Sequence, residues 1–156
     1  MVAAIPFLLS VFATGSGEAI DHFNNGVALN AENLWEEAIP EYGEAVVPRS
    51  DFDEALINRG AAYSDLGRDK AAIEDFDDAI RLDPEAGLGF SNRGRSYLLL
   101  GQYERAKQDL NEAIRLNPYA GVNYSIRALI LTRLGEGKYA QMDAERAREL
   151  GYERWS

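Results

Sequence analysis

Few side chains in this chain of 156 residues are of the types that catalyse reactions or hold metals. It contains no cysteine, which excludes a disulfide framework, a thiolate nucleophile and a cysteine-based zinc site. The single histidine, His22, stands at a position that later becomes leucine or an aromatic residue, and an isolated histidine there is more often a packing residue than a base or a ligand. No catalytic triad can be assembled from these residues.

The remaining candidates for chemistry fail on their spacing. Ser91 lies in GFSNRG, but a nucleophile elbow needs glycine two residues after the serine, where Arg93 stands. The acidic stretches at 51–54 and 75–78 do not continue as calcium loops. No glycine-rich stretch matches a phosphate loop or a dinucleotide fingerprint. We therefore expect no catalytic residue, metal or cofactor; an enzyme or ligand-binding domain would require a closed pocket among the helices of the fold.

The charge of the chain limits its partners. Lys and Arg number 16 against 26 Asp and Glu, so the net charge is -10, and the cationic surface on which nucleic-acid binding depends is missing. Apolar residues make up 46% of the chain, enough for one folded domain. We expect no nucleic-acid partner.

A decapeptide that recurs shows which elements the chain is built from. Asn58 to Gly67 reads NRGAAYSDLG, and Asn92 to Gly101 reads NRGRSYLLLG, a shift of 34 because 92 minus 58 is 34. Small residues recur at the same period in three columns: Gly26, Gly60, Gly94 and Ala128; Ala38, Ala72, Ala106 and Ala140; Ala45, Ala79, Ala113 and Ala147. The period predicts four repeats at about 19–52, 53–86, 87–120 and 121–153.

Each repeat is predicted to form two helices. Leu56, Gly60 and Tyr63 have the spacing of a helical stripe, and a second stripe follows with Ala72 and Phe76. Glycine is expected to end each first helix at Gly67, Gly101 and Gly135, and proline to end the second helix at Pro84 and Pro118. Such short helices are marginal alone, so stacking of neighbouring repeats must stabilise them.

These columns resemble the tetratricopeptide repeat family, whose repeating unit forms a helix-turn-helix of the same period with small and large residues at fixed positions. The resemblance covers nearly all of the chain after residue 18. Two copies depart from it. In the first, Asn33 replaces the turn glycine, and its spacing from Glu36 predicts a capping box for the second helix. In the fourth, Arg148 stands where Ile80 and Ile114 stand earlier, which predicts a polar outer face that ends the array.

The resemblance implies an all-α, right-handed superhelical solenoid of four helix-turn-helix units, whose first helices line a concave groove for an extended peptide or a helix of a partner. The groove positions carried over to this chain are Asn24, Asn58, Asn92, Ser91, Arg95, Leu98, Leu99, Val122, Ser125, Ile126, Leu129 and Arg133. The asparagines suit a peptide backbone, because an amide both donates and accepts hydrogen bonds. Two alternatives stay open: the asparagines are solvated or bond between helices, and some of the apolar residues pack against neighbouring helices.

Charge is distributed unevenly along the predicted groove. Residues 19–52 hold seven acids and one base, whereas the first helices of the third and fourth repeats hold four arginines and no acid. The expected partner is a protein or peptide segment that is amphipathic and has an acidic flank. Some family members grip an acidic peptide terminus with lysines; Ile20, Phe23 and Leu88 occupy the matching positions here, which argues against that type of receptor. The alternative function is a self-associating structural array.

A further pattern pairs charges across each repeat. Arg59, Arg93 and Arg127 recur immediately before the small-residue column, and Asp75, Asp109 and Asp143 follow each of them by sixteen residues. The first repeat lacks both members. This predicts a ladder of Arg–Asp pairs that link the two helices of a repeat or adjacent repeats, with an arginine array facing a ligand as the alternative.

The first eighteen residues form a separate apolar segment that precedes the repeats. Met1 to Ala13 carries no charge and is too short to span a bilayer as a helix. It has the length of a signal-peptide core, yet no Lys or Arg precedes it. The alternative is a helix that caps the first repeat. Any membrane association would have to use this segment, which could also meet a second copy of the chain. Cytoplasmic and exported locations are both left open.

Overall fold

The computed structural model describes residues 5–47 and 51–152, and within these ranges the chain forms eight helices and no strand. The helices are α1 (Ile5–Ala31), α2 (Trp35–Val46), α3 (Asp53–Asp65), α4 (Asp69–Leu82), α5 (Gly87–Leu99), α6 (Tyr103–Leu116), α7 (Gly121–Arg133) and α8 (Gly137–Glu149). The predicted all-α class is confirmed.

The helices pack as four hairpins in series. Each odd-numbered helix packs against the even-numbered helix that follows it, and each even-numbered helix then packs against the first helix of the next hairpin. Smaller contacts join α1 to α3, α3 to α5 and α5 to α7. Every such contact in the described chain lies within one hairpin or between adjacent hairpins, as the predicted solenoid requires. We call a contact between adjacent hairpins a joint.

The turn inside each hairpin depends on a left-handed residue. Gly67, Gly101 and Gly135 have φ angles of 73°, 73° and 77°, which confirms their predicted role in ending the first helices. In the first hairpin Asn33 takes this conformation, with φ of 61°. Asparagine tolerates it better than most other side chains.

The predicted capping box at Asn33 is wrong. Because Asn33 ends α1 in the left-handed region, Leu34 and not Asn33 directly precedes α2, and no side chain caps that helix. The freed Glu36 instead accepts a hydrogen bond from Arg68 of the second hairpin, with 2.7 Å between Arg68 Nη2 and Glu36 Oε1. A residue expected to stabilise its own helix end thus contributes to a joint.

Small residues let the two helices of a hairpin approach closely. A side chain on Gly60 would lie 2.6 Å from the Phe76 ring, and one on Gly26 would lie 2.7 Å from the ring of Tyr42. Both rings are fully buried. The alanine columns are also buried, with Ala38, Ala72 and Ala106 wholly inaccessible. The large side chains therefore fill the space that the glycines leave open.

The predicted Arg–Asp ladder is confirmed. Both oxygens of each aspartate accept hydrogen bonds from one guanidinium, at 2.6 and 2.8 Å in Arg59–Asp75, at 2.8 Å for both bonds in Arg93–Asp109, and at 2.6 and 2.8 Å in Arg127–Asp143. Nη1 of Arg93 and Arg127 also donates to the preceding hairpin, to Asp77 and Asn111 respectively. The arginines act within the scaffold, so the alternative of an array facing a ligand is wrong.

The apolar segment at the N-terminus continues directly into the first hairpin. Helix α1 begins at Ile5 and runs without a break to Ala31. Residues 1–4 and the side chains of residues 5–16 lie outside what the structure describes, so both interpretations of Met1 to Ala13 stay predictions. Among the described residues, no helix is both long and apolar enough to cross a bilayer.

Candidate functional site

The third and fourth hairpins form an open cavity of about 680 Å³ on the side of their first helices. Helix α5 contributes Arg95, Leu98 and Leu99, and α7 contributes four residues one helical turn apart: Val122, Ile126, Leu129 and Arg133. Residues three and four apart share a helix face, which is why a stripe read from the sequence becomes a wall here. We call this cavity the C-terminal groove.

The floor of the C-terminal groove is part of the hydrophobic core. Ile126 is only 9% exposed and clusters with Ala106, Leu110 and Ile130. Leu98 and Val122 pack against the same cluster and are half-buried. For these three residues the packing alternative is confirmed, and the core holds them in place.

The rim of the groove offers accessible apolar surface. Leu99 is 58% exposed and Leu129 is 36% exposed. Exposed leucines on a rigid floor provide area that a partner can bury without displacing the fold.

Both charges on the groove wall are positive. Arg95 and Arg133 belong to it, and no acidic side chain lines it. The side chain of Arg95 is about half exposed, and its Nη2 lies 3.6 Å from Asp65 Oδ1, too far for a good hydrogen bond. In a chain with a net charge of -10, this wall is a local exception.

The structure separates the other predicted groove residues from this cavity. Ser91 is buried in the joint between the third and fourth hairpins, where its Oγ donates to Asn123 Oδ1 at 2.5 Å. Ser125 is buried and lines a different cavity at the end of the array. Asn24 is exposed, whereas Asn58 and Asn92 are half-buried, and none of the three lines the C-terminal groove.

Two tyrosines of the groove were not found by sequence reasoning. Tyr103 begins α6, and Tyr152 follows the end of α8, yet both line the cavity with α5 and α7. The groove positions predicted from the sequence all lie on first helices. Tyrosine combines a large apolar ring with a hydroxyl, and such residues are enriched where proteins bind one another.

His22 is a paired surface residue rather than a packing residue. Its Nδ1 lies 2.8 Å from Glu41 Oε2, and its side chain is 39% exposed. The hydrogen bond to Glu41 raises the pKa of His22 above its ordinary value of 6.5, with a smaller opposing effect of desolvation. Glu41 stands at the repeat position of Asp75. The His22–Glu41 pair therefore lies where the other hairpins have an Arg–Asp pair. Among the described residues, no group of three or more His, Cys, Asp or Glu could hold a metal ion.

Comparison with known proteins matches two of the four hairpins to a known repeat. The family model for the tetratricopeptide repeat matches residues 53–85 and 88–119, which are the second and third hairpins. No curated protein sequence matches the chain.

Three solved structures share the architecture. A crystal structure of the MamA protein is 21% identical, with a TM-score of 0.77 over 85% of this chain and 72% of that one. The first tetratricopeptide domain of Spaghetti (RPAP3), solved with the HSP90 peptide SRMEEVD, is 23% identical, with a TM-score of 0.75 over 77% and 95%. The thermophilic protein TTC0263 of Thermus thermophilus is 23% identical, with a TM-score of 0.76 over 85% and 74%. At these identities the likeness establishes the fold.

Proposed function

Because the second and third hairpins match the tetratricopeptide repeat, we propose that this chain is a scaffold or adaptor that binds a segment of another protein in the C-terminal groove. The observation that carries the proposal is the composition of that groove. An apolar floor, two exposed leucines and two arginines line the groove, and no acidic side chain belongs to its wall, although the chain as a whole is strongly acidic.

Apolar contact supplies most of the affinity in this proposal. Burying one leucine side chain contributes roughly 1.5 to 3 kcal/mol, whereas an exposed ion pair contributes about 0.2 to 1 kcal/mol. Leu99 and Leu129 are the groove leucines with the most surface left to bury. The arginines then select the orientation and the sequence of the segment, since charge complementarity acts mainly on specificity and association rate.

The proposed occupant is an amphipathic peptide or helix with an acidic flank. The RPAP3 domain offers a parallel, because the HSP90 peptide in that structure, SRMEEVD, carries three acids among its last four residues. We do not propose the same kind of terminal clamp here. Phe23 contacts the rings of Tyr42 and Phe52, and Ile20 and Leu88 are exposed apolar residues, so these three positions provide no cation.

A peptide-display selection on the full chain tests this function. We expect enrichment of peptides in which large apolar residues adjoin Asp or Glu. The affinity of an enriched peptide would then be measured by calorimetry for the wild type and for the double variant Arg95→Glu, Arg133→Glu. Replacing two weak attractions by repulsions should lower affinity by roughly tenfold or more.

The matched control is Arg81→Glu, Arg115→Glu, which changes the net charge equally at exposed arginines outside the groove. It should bind the peptide nearly as the wild type does. Equal loss in both double variants would mean that only net charge matters. Enrichment of basic peptides, or unchanged binding by the groove variant, would refute the proposed recognition.

A further inference from the structure

The last hairpin carries a second cavity, of about 490 Å³, between α7 and α8. Its walls include Ser125 and Thr132 of α7 and Gln141, Ala144 and Arg148 of α8. Residues at the same repeat positions in earlier hairpins contact the next hairpin. Ser91 bonds to Asn123, Ser64 accepts a hydrogen bond from Ser96 at 3.3 Å, and Lys107 bonds to Glu136. The cavity is therefore the surface of a joint that has no following hairpin among the described residues.

The joints inside the array show which repeat positions contact each other between adjacent hairpins. The third residue of each incoming first helix is Ala55, Gly89 or Asn123, at intervals of 34. Val46 packs against the cluster that contains Ala55, and a side chain on Gly89 would lie 2.8 Å from Cγ1 of Ile80. In the last joint the third residue of α7, Asn123, also accepts a hydrogen bond from Ser91 of the preceding hairpin.

At the two ends of the array these positions carry opposite charges. Arg148 lies one repeat period after Ile114, in the column of Val46 and Ile80. Asp21 lies one repeat period before Ala55, in the column of the incoming residue. Both side chains are on exposed residues. Inside the array the first of these columns is apolar and the second is mostly small. At the ends the first column carries an arginine and the second an aspartate.

A second pair of columns is complementary in the same way. Across internal joints Arg93 donates to Asp77, and Arg127 donates to Asn111. The next member of the acceptor column is Glu145, and the first member of the donor column is Asn25. An asparagine amide can donate to a carboxylate, so these positions would match as well.

We propose that copies of this chain stack head to tail, with α1 of one copy seated between α7 and α8 of another, so that Asp21 lies beside Arg148 and Ser125. The wider charge distribution favours this order. The first repeat, at 19–52, holds seven acids and one base, whereas the fourth repeat, at 121–153, holds five bases and five acids. Such a joint does not close on itself, so it generates open chains of copies. The cavity shares Leu129 and Tyr152 with the groove, but Arg148, Ser125 and Asp21 lie outside both the groove lining and Met1 to Ala13. The inference does not depend on the proposed function.

Sedimentation velocity of the full chain over a wide concentration range tests the proposal. The wild type should form species that grow with concentration, whereas Asp21→Arg and Arg148→Asp should each require at least roughly tenfold higher concentration, because like charges would face each other across the joint. An equimolar mixture of these two variants should associate again, since every joint between unlike copies regains an opposite pair. The double variant Asp21→Arg, Arg148→Asp should do the same.

The exposed arginine of α4 provides the control, because Arg81→Glu changes a charge far from both ends and should associate as the wild type does. A monomeric wild type at all concentrations would overturn the proposal. So would single variants that associate normally, which would place the contact in the groove or the N-terminal segment. Loss of association that neither the mixture nor the double variant restores would also overturn it, because it would point to misfolding rather than to a broken charge pair.

Discussion

Two arginines of the ladder, Arg93 and Arg127, combine two structural roles in one side chain. The planar guanidinium offers several donors in a fixed geometry. Its Nε and Nη2 edge can therefore bond both oxygens of an aspartate while Nη1 reaches another group. Arg93 does this with Asp109 in its own hairpin and Asp77 in the preceding one. The paired carboxylates raise its pKa further above the ordinary value, so it stays charged. In the first hairpin the weaker His22–Glu41 pair takes this place.

The His22–Glu41 pair should make stability depend on pH. The pKa of His22 is raised above 6.5 in the folded chain, chiefly by its hydrogen bond to Glu41. Its contribution is therefore fully present below the unfolded pKa of about 6.5 and is lost as pH rises through the folded pKa. NMR titration should give a His22 pKa above 6.5 in the wild type and a lower one in Glu41→Gln.

The same variant should lower the melting temperature relative to the wild type at about pH 5.5, and the difference should shrink by about pH 8. Glu37→Gln is the control, because Glu37 is an exposed acid of α2 that does not pair with His22. An unshifted His22 titration in the wild type would show that the pair does not form in solution.

The hairpins themselves are held together by complementary volumes rather than by helix propensity. Glycine inside a helix costs about 1 kcal/mol relative to alanine, so its presence at Gly60 needs a compensating reason. The reason is the Phe76 ring, which occupies the space where a side chain of residue 60 would be. The same arrangement recurs with Gly26 and Tyr42. Close approach of two helices is thereby built into each unit.

Gly60→Ala should destabilise the chain although alanine favours helices. The added carbon would lie 2.6 Å from the Phe76 ring, which is fully buried and cannot move away freely. We expect a net loss of about 1 to 2 kcal/mol in the free energy of unfolding, measured by urea denaturation. Gly137→Ala is the matched control, because a side chain there would have open space, and it should cause no loss. Similar effects of both substitutions would contradict this account of the glycine column.

The molecule as a whole is a row of units that contact only their neighbours. The second and third hairpins are packed on two sides, whereas the first and fourth have one neighbouring hairpin within the described chain. In such arrays stability is approximately a sum of unit and joint contributions. The most stable region should therefore lie at the centre, and the ends should open more often.

Hydrogen exchange at low protein concentration should reveal this gradient. Amides of α4, α5 and α6 should exchange slowest, and those of α2 and α8 should exchange at least roughly tenfold faster, because opening an end breaks one joint instead of two. Low concentration matters, since stacking of copies would protect the ends. Equal protection along the chain would indicate that all four hairpins unfold as a single cooperative unit.

Much of the fold could be predicted from the sequence because its determinants are local and repeat. Glycine in the left-handed turn, proline after a helix, and an arginine sixteen residues before an aspartate all act within one hairpin. A fixed repeat period then places equivalent positions in equivalent surroundings. The same repeat period predicted that residues of α5 and α7 would line one groove.

Burial across the joints was decided only by the tertiary structure. Ser91 and Ser125 share a column with Phe23 and Ile57, and their spacing does not show that a neighbouring hairpin or an end cavity encloses them. Tyr103 at the start of α6 and Tyr152 after α8 also line the groove, although neither lies on a first helix. A side chain's period along one helix fixes its direction, but its exposure depends on what the next hairpin places in front of it.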